Sequence, residues 1–244
     1  MESTEEPAHT PRPTVLRIER APTAAAVREQ VSRAADSGFD GIELPQHVIR
    51  ATLSSTNAAP APGGRCRRRE EGMGLGLPVV AVAARLHSTK VAQAREDLIH
   101  GLDVAAGLGA RCLNVTIPPV VRTGDSFGFT RYQDAVNFTF ALLKRCRLNL
   151  ESSGVVLGLE APAEACLLSP IEVREFVDAV NCWAVGVCVV APIAQRFGSA
   201  ADWVRTLGSR VHTVRGHTLD SLDAAVLRHV PADRPFIVVP GSAS

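Results

Sequence analysis

One carboxylate, Glu160, closes the run Gly154-Val155-Val156-Leu157-Gly158-Leu159 just ahead of Ala161-Pro162. Small and apolar residues ending at one acid read as a buried strand with the carboxylate at its C-terminal end. Other apolar runs close on polar groups too. Glu43 follows Gly41-Ile42, His87 follows the run that starts at Pro78, and Asn114 and Thr116 lie in 112–116. His212, Arg215, His217 and Asp220 lie in or just after the run 210–214. Carboxylates and imidazoles converging on one mouth are suited to Mn²⁺, Mg²⁺ or Zn²⁺. A metal held there can grip two oxygens of a hydroxy-ketone while a carboxylate removes the proton α to the carbonyl. Each residue also has a plainer role. Glu43 can close a salt bridge, His47 and His87 can be solvated loop residues, and Asn114 and Thr116 can satisfy nearby backbone.

These side chains meet only if the elements carrying them are ordered in one way. Amphipathic stretches at 24–37, 91–108, 132–152, 171–180, 201–207 and 222–229 each precede a short apolar run. A glycine, such as Gly38, Gly109, Gly154 or Gly208, often marks the helix end. The apolar runs are continuous rather than alternating, as for strands buried on both faces. With 15–18 and 78–83 there are eight, and alternation of this kind predicts an α/β protein with a (β/α)8 TIM barrel. An open doubly wound sheet is disfavoured, because no glycine-rich phosphate loop follows the first strand.

Two stretches break the pattern. From Arg50 to Leu77 the second helix is eroded into Ser/Ala/Pro/Gly-rich sequence, with an arginine cluster at Arg65, Arg67, Arg68 and Arg69. An irregular loop is predicted over about 50–77, with at most a short helix at 67–72. After the eighth strand no eighth helix is expected before Ser244, so one side of that strand is exposed or covered by a partner chain or the N-terminal tail. Residues 1–13 read as a disordered tail and 14–244 as one barrel domain.

The 244 residues carry a net charge of +1, and no apolar run approaches the roughly 20 residues of a membrane span. Neither nucleic acid nor an anionic membrane is therefore an expected partner. Cys66, Cys112, Cys146, Cys166, Cys182 and Cys188 form no CxxC pair and sit mostly in apolar surroundings. Buried thiols in a reducing cytosol are the expectation, with no zinc or disulfide role.

A resemblance sharpens this picture. Gly38-Phe39-Asp40-Gly41-Ile42-Glu43-Leu44, Leu108-Gly109-Ala110 and Gly154 to Glu160 carry its first part. Leu168-Ser169-Pro170-Ile171-Glu172, Val185-Gly186-Val187, Arg196-Phe197-Gly198 and Trp203 to Val211 follow in order. Together they resemble the xylose isomerase-like TIM-barrel superfamily, in particular its sugar phosphate isomerase/epimerase branch. The resemblance implies a divalent metal (Mn, Mg, Co or Zn) held by Glu, Asp, His and Glu at the ends of strands five to eight. The two glutamates would also move the proton.

Glu160 matches the first of these positions. Counting back from Arg196-Phe197-Gly198 puts Val190 at the second, and Pro240 stands at the fourth. At the third, His217-Thr218-Leu219-Asp220 resembles the expected pattern if about two residues are inserted; without them Arg215 takes the place. The spacing to Asp220 favours His217. The implied protein is a sugar or sugar-phosphate isomerase/epimerase with a degenerate metal site. Glu160 would be its catalytic residue, Glu160 and His217 its metal ligands, and Glu43, His87, Arg196, Arg215 and Asp220 its substrate contacts. The alternative is a metal-free, inactive sugar-binding or interaction protein on the same barrel. Abasic-site nuclease activity, also found in this superfamily, needs a multi-metal cluster and a basic groove that the sequence does not offer. A homodimer would cover the bare eighth strand.

Overall fold

The computed structural model describes residues 13–18, 21, 23–53, 75–121, 127–161, 165–217 and 224–239. Eight parallel strands pair in sequence order, and the last closes on the first. They are β1 (Thr14–Arg17), β2 (Gly41–Pro45), β3 (Val79–Arg85), β4 (Cys112–Thr116), β5 (Val156–Glu160), β6 (Val185–Val190), β7 (Val211–Gly216) and β8 (Phe236–Val238). The helices are α1 (Ala24–Asp36), α2 (Gln46–Leu53), α3 (Val91–Gly107), α4 (Tyr132–Ser153), α5 (Pro170–Val180), α6 (Ala191–Arg196), α7 (Ala200–Leu207) and α8 (Ala224–His229). This is the predicted (β/α)8 barrel.

Local signals fix the helix ends. Thr23 accepts the Ala26 N–H at the start of α1, and Ser169 accepts the Glu172 N–H at the start of α5, where Pro170 presets the first turn. Gly154 ends α4 with φ of 71°, a left-handed conformation that a side chain would strain. The Tyr132 hydroxyl donates to Glu172 and accepts the Leu167 N–H, while Glu172 also takes the Leu168 N–H. These bonds pin the end of the loop that follows Glu160. Burial and the Glu172 hydrogen bond push the Tyr132 phenol up to about 12, so it stays a donor.

Two helical details differ from the sequence expectation. The second helix persists to Leu53, into the start of the stretch read as a loop. The six-residue α6, with Pro192 in its first turn, follows β6 directly and has too few turns to show a period. The helix considered at 67–72, the N-terminal tail and the end of the chain lie outside the described residues. In β8, Phe236, Ile237 and Val238 are all buried within this chain, at 8% exposure or less.

The main core lies between the outer face of the sheet and the helices, with Leu102, Leu113, Leu142, Leu157 and Leu207 among its fully buried members. A second, smaller cluster of Val15, Ala81, Cys112 and Ile237 fills the barrel interior. Side chains alternate along each strand, so Arg17 and Asn114 share the inner face with Val15 and Cys112, two residues nearer the mouth. The apolar plug is thus the floor of whatever the mouth holds.

Candidate functional site

Above that floor, five strands contribute to one charged cluster. Arg215 of β7 donates from Nη2 to both carboxylate oxygens of Glu43 on β2, at 2.8 and 3.0 Å. Its Nη1 donates to Oε2 of Glu160 on β5. Asn114 of β4 donates from Nδ2 to Glu43 Oε1 at 2.8 Å. The Asn114 carbonyl oxygen in turn accepts the Thr213 hydroxyl at 2.9 Å and faces the Cys112 thiol at 3.3 Å. Arg17 of β1 brings a second guanidinium to 3.5 Å from Glu43 Oε2. Two cations thus face two carboxylates, and the cluster is electrically neutral.

Burial separates the roles of the two acids. Glu43 is fully buried, whereas the Glu160 side chain keeps 15% of its exposure at the mouth. Burial works against the charge on Arg215, but the Glu43 and Glu160 carboxylates more than offset it. The guanidinium is therefore held well above its ordinary value and stays charged. Desolvation pushes the Cys188 thiol up to about 12 and raises Cys112 as well, so both are neutral neighbours of the cluster.

The structure joins four of the residues singled out in the sequence: Glu43, Asn114, Glu160 and Arg215. It leaves others apart. His87 is exposed in the loop after β3, Arg196 is exposed in the last turn of α6, and His217 is exposed just beyond β7. Asp220 and Pro240 lie outside the described residues. The level of β7 that faces Val190 is Arg215, not His217, because the β6–β7 register pairs Val190 with Arg215. Asn114 bonds side chains rather than backbone. Arg17 was missed, although a charge two residues after Val15 on a buried strand falls on the same face and is a readable signal. Cys188 and Val190 also line a small apolar gap, with Leu159, Phe197 and Trp203 on its walls.

A closed parallel barrel with its polar side chains at the C-terminal strand ends defines a (β/α)8 protein with its site at the mouth. The model of the xylose isomerase-like TIM barrel family matches residues 31–234, most of the chain, and the chain belongs to that family. Among solved structures, an L-ribulose 3-epimerase is 16% identical with a TM-score of 0.70, over 96% of this chain and 82% of that one. A D-allulose 3-epimerase from Methylomonas sp. is 16% identical with a TM-score of 0.71, over 97% and 87%. The IOLI protein, solved with a bound zinc atom, is 12% identical with a TM-score of 0.64, over 92% and 88%. At these identities the likeness is one of fold. No curated protein sequence matches the chain.

The divalent metal that the family resemblance implies does not fit the described residues. Both strand-end carboxylates already serve the Arg215 guanidinium, and Val190 offers no oxygen at the end of β6. Among the described residues, no three His, Cys, Asp or Glu side chains come together as a metal site. A further doubly charged ion would also enter a neutral cluster within reach of two guanidinium groups, at a Coulombic cost.

Proposed function

We propose that this barrel binds a small sugar or sugar phosphate at its mouth without a divalent metal, and that metal-assisted isomerisation or epimerisation is not its activity. One observation carries the reading: Glu160, the carboxylate to which the resemblance gives proton transfer, is bonded to Arg215, which also holds Glu43. The family fold and the sugar epimerases among its structural neighbours support a carbohydrate as the ligand.

The test is a panel of D-fructose, D-allulose, L-ribulose and fructose 6-phosphate, measured by calorimetry and by product analysis, with and without Mn²⁺, Co²⁺ or Zn²⁺. Binding that is indifferent to metal, with no product formed, is expected. Metal-dependent turnover that Glu160→Gln abolishes would sink the proposal.

A second reading rests on the 15% exposure of the Glu160 side chain. In it, Glu160 takes the proton α to the carbonyl while the adjacent Arg215 guanidinium stabilises the enediolate charge. Turnover that persists in EDTA and is lost in Glu160→Gln would select this second reading over the first.

A further inference from the structure

We propose that Arg215 is a resident cation that occupies, and so masks, a latent two-carboxylate cation site formed by Glu43 and Glu160. This deepens the metal-free reading above and rests on it. The pair is not the ligand set that the family resemblance implies, since Glu43 comes from β2.

Two carboxylates from β2 and β5 reach one guanidinium inside the barrel, Glu43 with both oxygens and Glu160 with one. Brought this close in a buried setting, they require a positive charge between them. Glu43 is also held in place independently of Arg215. Asn114 donates to it, and Asn114 is itself fixed by Thr213 and faced by the Cys112 thiol. Gly158 clears the room for this arrangement, because a Cβ there would overlap the Asn114 carboxamide oxygen. The scaffold that aims Glu43 therefore does not depend on the arginine that neutralises it. Removing the guanidinium leaves a space between the Glu43 carboxylate, which Asn114 still holds, and Glu160 at the end of β5.

Arg215→Ala tests this directly. Thermal unfolding of the variant is followed with Co²⁺, with guanidinium at millimolar concentration, and with KCl as the ionic-strength control. Co²⁺ is expected to raise the Tm of Arg215→Ala by about 5–10 °C at a hundredfold excess over its Kd, while the wild type does not respond. The cobalt-loaded variant should gain visible absorption that Glu43→Gln in the same background removes. Guanidinium should also raise the Tm, and KCl should not. If Arg215→Ala is recovered only unfolded, refolding yield with and without Co²⁺ becomes the readout, and a higher yield with the ion is expected. Equal yields, a Tm indifferent to Co²⁺, or a wild type that itself takes up one Co²⁺ per chain would each overturn the proposal. The carbohydrate panel uses wild-type protein alone. Failed sugar binding therefore leaves this proposal standing, and an unresponsive Arg215→Ala leaves the carbohydrate reading standing.

Discussion

Arg215 is buried with its charge matched on two sides, so the two ends of its ion pairs are unequal in what their loss costs. Arg215→Met leaves two carboxylates inside the barrel with, among the described residues, Arg17 near one of them. Breaking a buried pair by removing one partner costs about 3–5 kcal/mol, and urea unfolding of this variant should show a loss of that order. Glu160→Gln is milder. Glu43 still holds the guanidinium through both oxygens, and Glu160 is the more exposed acid. Its loss should be roughly 1–3 kcal/mol. A larger loss for Glu160→Gln than for Arg215→Met would mean that the charge balance runs through Glu160 alone. Glu160 and Arg215 could be read from the sequence because each closes an apolar run. Their pairing could not, because it joins strands 55 residues apart in the chain.

At the scale of elements, the register of β6 against β7 decides which residue faces the cluster. Val187 pairs with Val211, but Cys188 pairs with Thr213, so β7 holds one extra residue, His212, at the irregularity. That one residue brings Arg215 level with Val190 and leaves His217 beyond the strand. Counting along the sequence weighed either no insertion or two residues, since a bulge leaves no mark in a continuous apolar run. The eight strands were legible for the opposite reason: each is a run bounded by a helix end and a loop, and no register is needed to see it. The ring of His212 lies where a Cβ on Gly186 would be, with both nitrogens buried and without hydrogen-bond partners. Burial, aided by Arg234, lowers this imidazole to about 4 from 6.5. The unfolded chain therefore takes up a proton between about pH 6.5 and 4 that the folded protein refuses, and stability falls as pH drops through that window. The loss should approach roughly 3 kcal/mol, and His212→Leu should flatten it in unfolding curves measured across that range. On β5, Gly158→Ala should cost about 1–3 kcal/mol by displacing the Asn114 side chain. If the substitution were neutral, Asn114 would not be holding Glu43 in place.

At the scale of the whole molecule, the barrel keeps its family's architecture and carries an arginine bonded to two glutamates at its mouth. Cys112, Cys146, Cys166, Cys182 and Cys188 are free and buried, and desolvation raises every one of their thiols. In a Cys66→Ser background these five should react with a thiol reagent only as fast as the protein opens, so labelling and unfolding should share one midpoint in urea. Labelling well before unfolding would show that part of the barrel opens on its own. No described helix is long and apolar enough to cross a membrane. The interior plug of Val15, Ala81, Cys112 and Ile237 closes the floor below Glu160 and Arg215, which stand at the strand C-terminal ends.

The most direct test is calorimetric titration of the ketose and ketose-phosphate panel into EDTA-treated protein and into protein supplied with Mn²⁺. A barrel whose cation is Arg215 should bind the same ligand with the same Kd in both preparations. Binding that appears only with Mn²⁺, together with conversion of the sugar, would contradict it.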